Sequence, residues 1–296
     1  MSAREWRESF ATADDGTRLY VRELPTRRSD SANALTALLS DGIACDGFIW
    51  KYLWDFLADR TNVAHWHYRG HGRSSAPRDE EKIHVTDFAS DIDRVRRHIG
   101  DPPVVLFGHS FGCQVALEGY RKRRENVRGL VLICGSSGRV THTFRGTEAL
   151  AQVLPGLIER VRKSPRLARG LWGSVPPALS LKIATLTGEI DSRMMDPNDL
   201  LPYLEHMADI DLLMFLRMLW DAGEHSAADL LPSIDVPVLV ISGDKDNFTP
   251  VRYAEELAGA LPKGELVMLS ATHVAPLEQR ATVHAKVGEF LDKLRA

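Results

Sequence analysis

The chain has 296 residues, 44% of them hydrophobic and 26% charged, with 22 Gly and 15 Pro, a composition that excludes intrinsic disorder, a collagen repeat and a coiled coil. Its 37 Lys and Arg stand against 40 Asp and Glu, a formal net charge of −3. That balance gives no ground for nucleic acid as a partner or for a general anionic-membrane binder, and directs expectation to a small-molecule partner.

Taken in order, the Asp14-Asp15-Gly16 turn between two mixed apolar and polar segments from Glu8 to Leu24 predicts a β-hairpin. Ala34–Leu39 and Val63–Tyr68 read as short strands on either side of Phe48–Leu57, a Trp-, Phe- and Leu-rich candidate crossover helix. From Thr86 to Ile99, Phe88, Ile92, Val95 and Ile99 fall on one helical face, and Gly100 follows as the stop. Val104–Phe107 and Leu130–Cys134 are uninterrupted apolar runs, the pattern of strands covered on both faces, with a helical segment at Val115–Tyr120 between them. The rhythm then breaks from Ser136 to Asp235, a stretch punctuated by Pro155, Pro165, Pro176, Pro177, Pro197, Pro202 and Pro232. Several short helices and no strands are expected there. The strand pattern returns at Val238–Ser242 and Glu265–Leu269, and a closing helix places Val283, Val287, Phe290, Leu291 and Leu294 on one side. The reading is an α/β core formed by residues 1–135 and 236–296, with an all-helical cap at 136–235.

Chemistry concentrates at Gly108-His109-Ser110-Phe111-Gly112, which sits between an apolar strand and a helix, the context a G-x-S-x-G turn requires. The glycines permit a tight reversal that holds Ser110 out at the carboxyl end of the sheet as a nucleophile. The Phe111 N–H, at the positive end of the following helix, is a candidate oxyanion donor. A serine hydroxyl needs a base, and the base needs an orienting acid. Asp246, in Gly243-Asp244-Lys245-Asp246 at the end of one strand, and His273, after the next, supply both, with Asp244 an alternative acid. His109 is expected to turn its side chain away from Ser110.

These residues, in the order Ser, Asp, His, together with Arg69-Gly-His-Gly72-Arg-Ser74, Pro250 and Glu278, resemble the α/β-hydrolase superfamily from about Gly16 to Leu294. The resemblance implies a mostly parallel eight-stranded sheet with helices on both faces and a helical cap after strand 6. It implies a Ser110-Asp246-His273 set that forms an acyl-enzyme. It also places a second oxyanion donor in the loop Asp41-Gly42-Ile43, for which the Ile43 N–H is the candidate. Two departures stand out: Asp41 occupies a position where relatives often carry His, and His67 one where they often carry Asp. The expectation is that Asp41 and His67 form a pair supporting Gly42 and the rest of that loop.

The apolar stretch Met207–Trp220 suggests a pocket for an apolar or amphipathic ester, thioester or lactone. His206 and His225 are further candidates to line it. Arg160, Arg162, Lys163, Arg166 and Arg169 form a local basic patch, and Arg121–Arg124 follow the helix after Ser110. Other reactions of the same residue set remain open: carbon–carbon bond hydrolysis, peracid formation and aminopeptidase chemistry. A non-catalytic ligand receptor is the alternative from a different class. No motif indicates an organic cofactor or a metal. Cys45, Cys113 and Cys134 fit neither a disulfide framework nor a zinc pattern. With no apolar leader in Met1–Phe10 and no run near the roughly 18 apolar residues of a membrane span, a cytoplasmic location without a transmembrane segment is expected.

Overall fold

The computed structural model describes residues 5–26, 35–142, 147–172, 174 and 176–295. Met1–Arg4 and Ala34, used above, lie outside the described residues. The strands are β1 (Arg7–Thr12), β2 (Arg18–Leu24), β3 (Thr36–Ser40), β4 (Asn62–Trp66), β5 (Val104–His109), β6 (Val127–Ile133), β7 (Val238–Gly243) and β8 (Gly264–Leu269). They form one sheet in the order β1-β2-β4-β3-β5-β6-β7-β8. β2 runs antiparallel to both of its neighbours, and from β4 to β8 all pairs are parallel.

The apolar runs explain the layers. In β5 and β7 every residue is buried, and alternate side chains enter two different cores. Leu38, Leu106, Leu130 and Val240 face Phe88, Ile92 and Val95 of α2 (Val85–His98), α3 (Phe111–Lys122) and α9 (Val251–Ala260). Leu39, Val105, Phe107, Val131 and Ile241 face α1 (Leu53–Ala58) and Val283, Val287 and Leu291 of α11 (Arg280–Lys293). β1 and β8, at the edges, alternate exposed and covered residues instead.

Between β6 and β7 the chain is helical, with α4 (Ala149–Lys163), α5 (Pro165–Trp172), α6 (Pro177–Leu186), α7 (Leu201–Asp209) and α8 (Leu212–Glu224). One local expectation is corrected here. Pro155 does not punctuate: α4 runs through it. The apolar stretch Met207–Trp220 spans two helices, α7 and α8. It breaks at Ile210-Asp211, because the Asp211 carboxylate accepts the Met214 N–H at 2.8 Å and caps a new helix. A short α10 (Ala275–Glu278) precedes α11. Cys45, Cys113 and Cys134 are free and buried. Among the described residues no helix is long and apolar enough to cross a membrane.

Candidate active site

Ser110 sits where β5 ends and α3 begins, at φ 54° and ψ −119°, a backbone conformation that costs a non-glycine residue about 1–3 kcal/mol. The strain is imposed by packing. Gly112 lies so close to the end of β3 that an added Cβ would collide with the Ser40 carbonyl. Ser110 is half-buried, and its side chain does not cap α3, so the hydroxyl stays uncommitted to the helix. Its backbone is pinned: the N–H donates to Ile133 O at 3.0 Å, and the carbonyl accepts from the Cys113 N–H at 3.0 Å.

Asp246 and His273 arrive from the ends of β7 and β8. His273 Nδ1 donates to Asp246 Oδ2 at 2.8 Å, which leaves Nε2 with a lone pair able to take a proton. Asp246 is 5% exposed and also accepts from Thr249 Oγ1 at 2.7 Å, from the Thr249 N–H at 2.9 Å and from the Phe248 N–H at 2.8 Å. Burial acts to raise its pKa, but the His273 charge and these donors outweigh it and hold the carboxyl below its ordinary value. Asp244, the alternative acid, is exposed and takes no part in this cluster.

The His109 ring centre lies 5.0 Å from that of His273. The His109 ring is buried, and Nε2–H donates to the His273 carbonyl at 3.0 Å, so it faces the loop that carries His273. Burial pushes this imidazole down to about 3, in keeping with a neutral ring that donates from Nε2. Glu278 braces the same loop from below: Oε2 accepts the Thr272 N–H at 2.6 Å, and Oε1 accepts the Thr272 hydroxyl at 2.9 Å and the Asp191 N–H at 2.7 Å.

The loop after β3 lies against Ser110; a Cβ at Gly42 would stand 3.3 Å from the Ser110 Cβ. Neither the Ile43 nor the Phe111 N–H donates to another described residue, so both stay available to an incoming oxygen. Asp41 does not pair with His67. β3 and β4 end at Ser40 and Trp66, the Asp41 carboxylate reaches back to His65 Nε2 at 2.8 Å, and Trp50 Nε1 donates to its other oxygen at 2.6 Å. His67 is engaged elsewhere, its Nδ1 accepting the Arg73 N–H at 2.9 Å. Burial pushes Asp41 up to about 7, opposed by the Trp50 hydrogen bond and the Arg22 charge. Tyr68 donates its hydroxyl to the Asp41 carbonyl at 2.7 Å, and His71 Nε2 accepts the Ala44 N–H at 3.2 Å. The loop is thus fixed at four points that sequence reasoning missed. The closely spaced His65, His67 and His71 were the available signal.

Of the other residues singled out, His225 lies 3.2 Å from Glu118, and the His206 ring lies 5.9 Å from that of His71. Arg162 and Lys163 pair with Glu159 on the surface of α4, whereas Arg121 and Arg123 tie the core through Asp229 and Asp101.

A strained serine ahead of a helix, and an aspartate–histidine pair on the next strand ends, define the site of one enzyme family. Residues 38–286 match the alpha/beta hydrolase family, and the chain belongs to it. It is 28% identical over 283 residues to the polyketide synthase ThaQ of Burkholderia thailandensis, a match covering 88% of this chain and 12% of that protein. It is 26% identical over 226 residues to the proline iminopeptidase of Neisseria gonorrhoeae, covering 70% of this chain and 72% of that one. The chain spans half the length or less of the first curated relatives it matches. In structure it resembles an esterase from Thermogutta terrifontis, with TM-score 0.76, 22% identity, and 99% and 100% of the two chains covered. It also resembles the enol-lactonase from Burkholderia xenovorans LB400, with TM-score 0.75, 20% identity, and 96% and 100% covered.

Proposed function

We propose that the chain is a serine hydrolase that cleaves a carboxylic ester, thioester or lactone of an apolar or amphipathic small molecule. The observation that carries this reading is the 2.8 Å hydrogen bond from His273 to a buried Asp246, taken together with a serine at φ 54° whose side chain does not cap the helix that follows. In the proposed reaction His273 Nε2 takes the Ser110 proton as Oγ attacks the carbonyl carbon. The Phe111 and Ile43 N–H groups receive the oxyanion, and Asp246 stabilises the imidazolium. The proton then passes to the leaving alcohol or thiol, and water releases the acid by the same steps in reverse. The helices between β6 and β7 serve as a cap over this site. Membership of the family supports hydrolysis, and the likeness to an esterase and an enol-lactonase is consistent with the bond type. The match to a polyketide synthase adds a polyketide-type acyl chain to the candidate acyl groups.

A series of p-nitrophenyl esters of graded chain length, with Ser110→Ala as the blank, tests the proposal. Release by the wild type alone, together with fluorophosphonate labelling that Ser110→Ala abolishes, is expected; equal rates from both proteins would refute it. The similarity to proline iminopeptidases favours a second reading, cleavage of an N-terminal proline. Faster turnover of prolyl p-nitroanilide than of every ester would select it.

A further inference from the structure

A polar cleft of about 550 Å³ lies where β2, the turn after β4 and helix α7 meet, within the ~300–1,000 Å³ typical of small-molecule sites. One wall carries Arg22. Its Nε donates to His65 Nδ1 at 3.1 Å, and its guanidinium carbon lies 4.0 Å from the Trp54 ring centre and 4.9 Å from that of Trp6. The guanidinium plane is therefore set before a ligand arrives. Among the described residues its two Nη groups have no hydrogen-bond partner, and no carboxylate pairs with them. His67 lines the same wall and is 5% exposed. Because its Nδ1 accepts the Arg73 N–H, the ring proton sits on Nε2, and that N–H is buried without a partner. The Arg73 charge, in contrast, is matched by Glu8 at 2.6 Å.

Helix α7 brings the exposed Glu205 and Asp209, one turn apart, to the same cleft, and the half-buried Asp46 lines it beside Gly47, where a Cβ would stand 2.6 Å from an Arg22 Nη group. Among the described residues no cation stands within ion-pair distance of Glu205 or Asp209, whereas the His206 and Arg22 charges already act on Asp46. Burial pushes the Asp46 carboxyl upward, opposed by the His206 and Arg22 charges. These acids are not a metal-ligand set: among the described residues no group of three or more His, Cys, Asp or Glu side chains could hold a metal ion.

The unspent groups are thus a guanidinium and an imidazole N–H on the sheet side and two carboxylates on α7. A simple anion would meet the carboxylates, and a simple cation would meet the guanidinium. We propose that this cleft binds a small zwitterion of the amino-acid kind, its carboxylate forked by the Arg22 Nη groups and approached by His67 Nε2–H, its ammonium facing Glu205 and Asp209. Planar, bidentate recognition of a carboxylate is what a pre-set guanidinium does best. The proposal stands independently of the hydrolytic reading, since it uses none of Ser110, Asp246 or His273.

Titration calorimetry with a panel of free α-amino acids tests it, run on the Ser110→Ala protein so that no ligand derivative is turned over. Saturable one-to-one binding by a free amino acid is expected. Blocking the amine by acetylation, or the carboxylate as an amide, should weaken binding about tenfold or more. The double variant Glu205→Gln/Asp209→Asn alters only exposed side chains and should weaken binding about fivefold with an unchanged Tm. Three results would each overturn the proposal: no saturable binding at ligand concentrations on the order of 10 mM, blocked derivatives that bind as tightly as the free amino acid, or wild-type affinity in the double variant.

Discussion

Ser110 illustrates a conflict between position and stability settled in favour of position. At φ 54° its Cβ sits where glycine would be at ease. Ser110→Gly should therefore raise stability by about 1 kcal/mol, the relief of strain exceeding the added flexibility of the unfolded chain. Ser110→Ala, which keeps a Cβ at the same φ, should not; parallel urea titrations of the two variants check this. Asp246 offers a test in pH. Its native pKa lies below the ordinary 3.8, so the ionised carboxylate adds stability above that value, and the contribution is lost as pH falls through the native pKa. Asp246→Asn should lack this acid-side loss in a plot of Tm against pH. It should also lower kcat by about 10⁴, as expected when the imidazole loses the partner that fixes its tautomer.

At the scale of elements, the parallel strands deliver loops to one edge of the sheet, and close approach between elements matters as much as side chains. Gly112 carries the contact between α3 and β3. Gly112→Ala should cost about 1–3 kcal/mol through backbone displacement, read from the urea midpoint, and should slow any esterase reaction by shifting Ser110. Much at this level was legible in the sequence. Each of β5, β6 and β7 contains an uninterrupted apolar run, and the apolar stripe of α2 is written in Phe88, Ile92 and Val95. The positions of Ser110 ahead of α3, and of Asp246 and His273 after β7 and β8, follow from those runs and their turn residues. What stayed hidden depends on where elements stop. The Asp41 partner changed from His67 to His65 because both strands end one residue short of the expected pair. The orientation of His109 is set by the His273 carbonyl, 164 residues away in the chain, which no local pattern encodes. The break at Asp211 was readable as an N-cap in hindsight, while α4 passing through Pro155 runs against the local rule.

Across the whole molecule, the helices between β6 and β7 are moored to the sheet by buried or half-buried polar contacts. Asp199 accepts from Lys51 Nζ at 2.5 Å and from the Tyr52 hydroxyl at 2.7 Å. Asp221 accepts the Val85 N–H at 2.7 Å, and Gln114 donates to the Ala222 carbonyl at 2.9 Å. The mooring at Glu278 differs in kind, because its carboxylate is shared between Asp191 of the inserted helical region and Thr272, the residue before His273. Glu278→Gln would set an amide N–H₂ against one of three donors, a loss of about 1–3 kcal/mol. Its expected signature is a fall in kcat with little change in KM, since the His273 imidazole loses its fixed seat while the chain around Ser110 is unaltered. An equal rise in KM would instead place the damage in binding.

That shared carboxylate limits how the chain can be rebuilt. A chimera that grafts another family member's helical insert onto this sheet would carry a foreign backbone to the Glu278 junction, and the graft would perturb the seat of His273, the proposed base, even with Ser110, Asp246 and His273 all retained. Inserts that preserve the 190–192 backbone path are the ones expected to transplant with turnover intact.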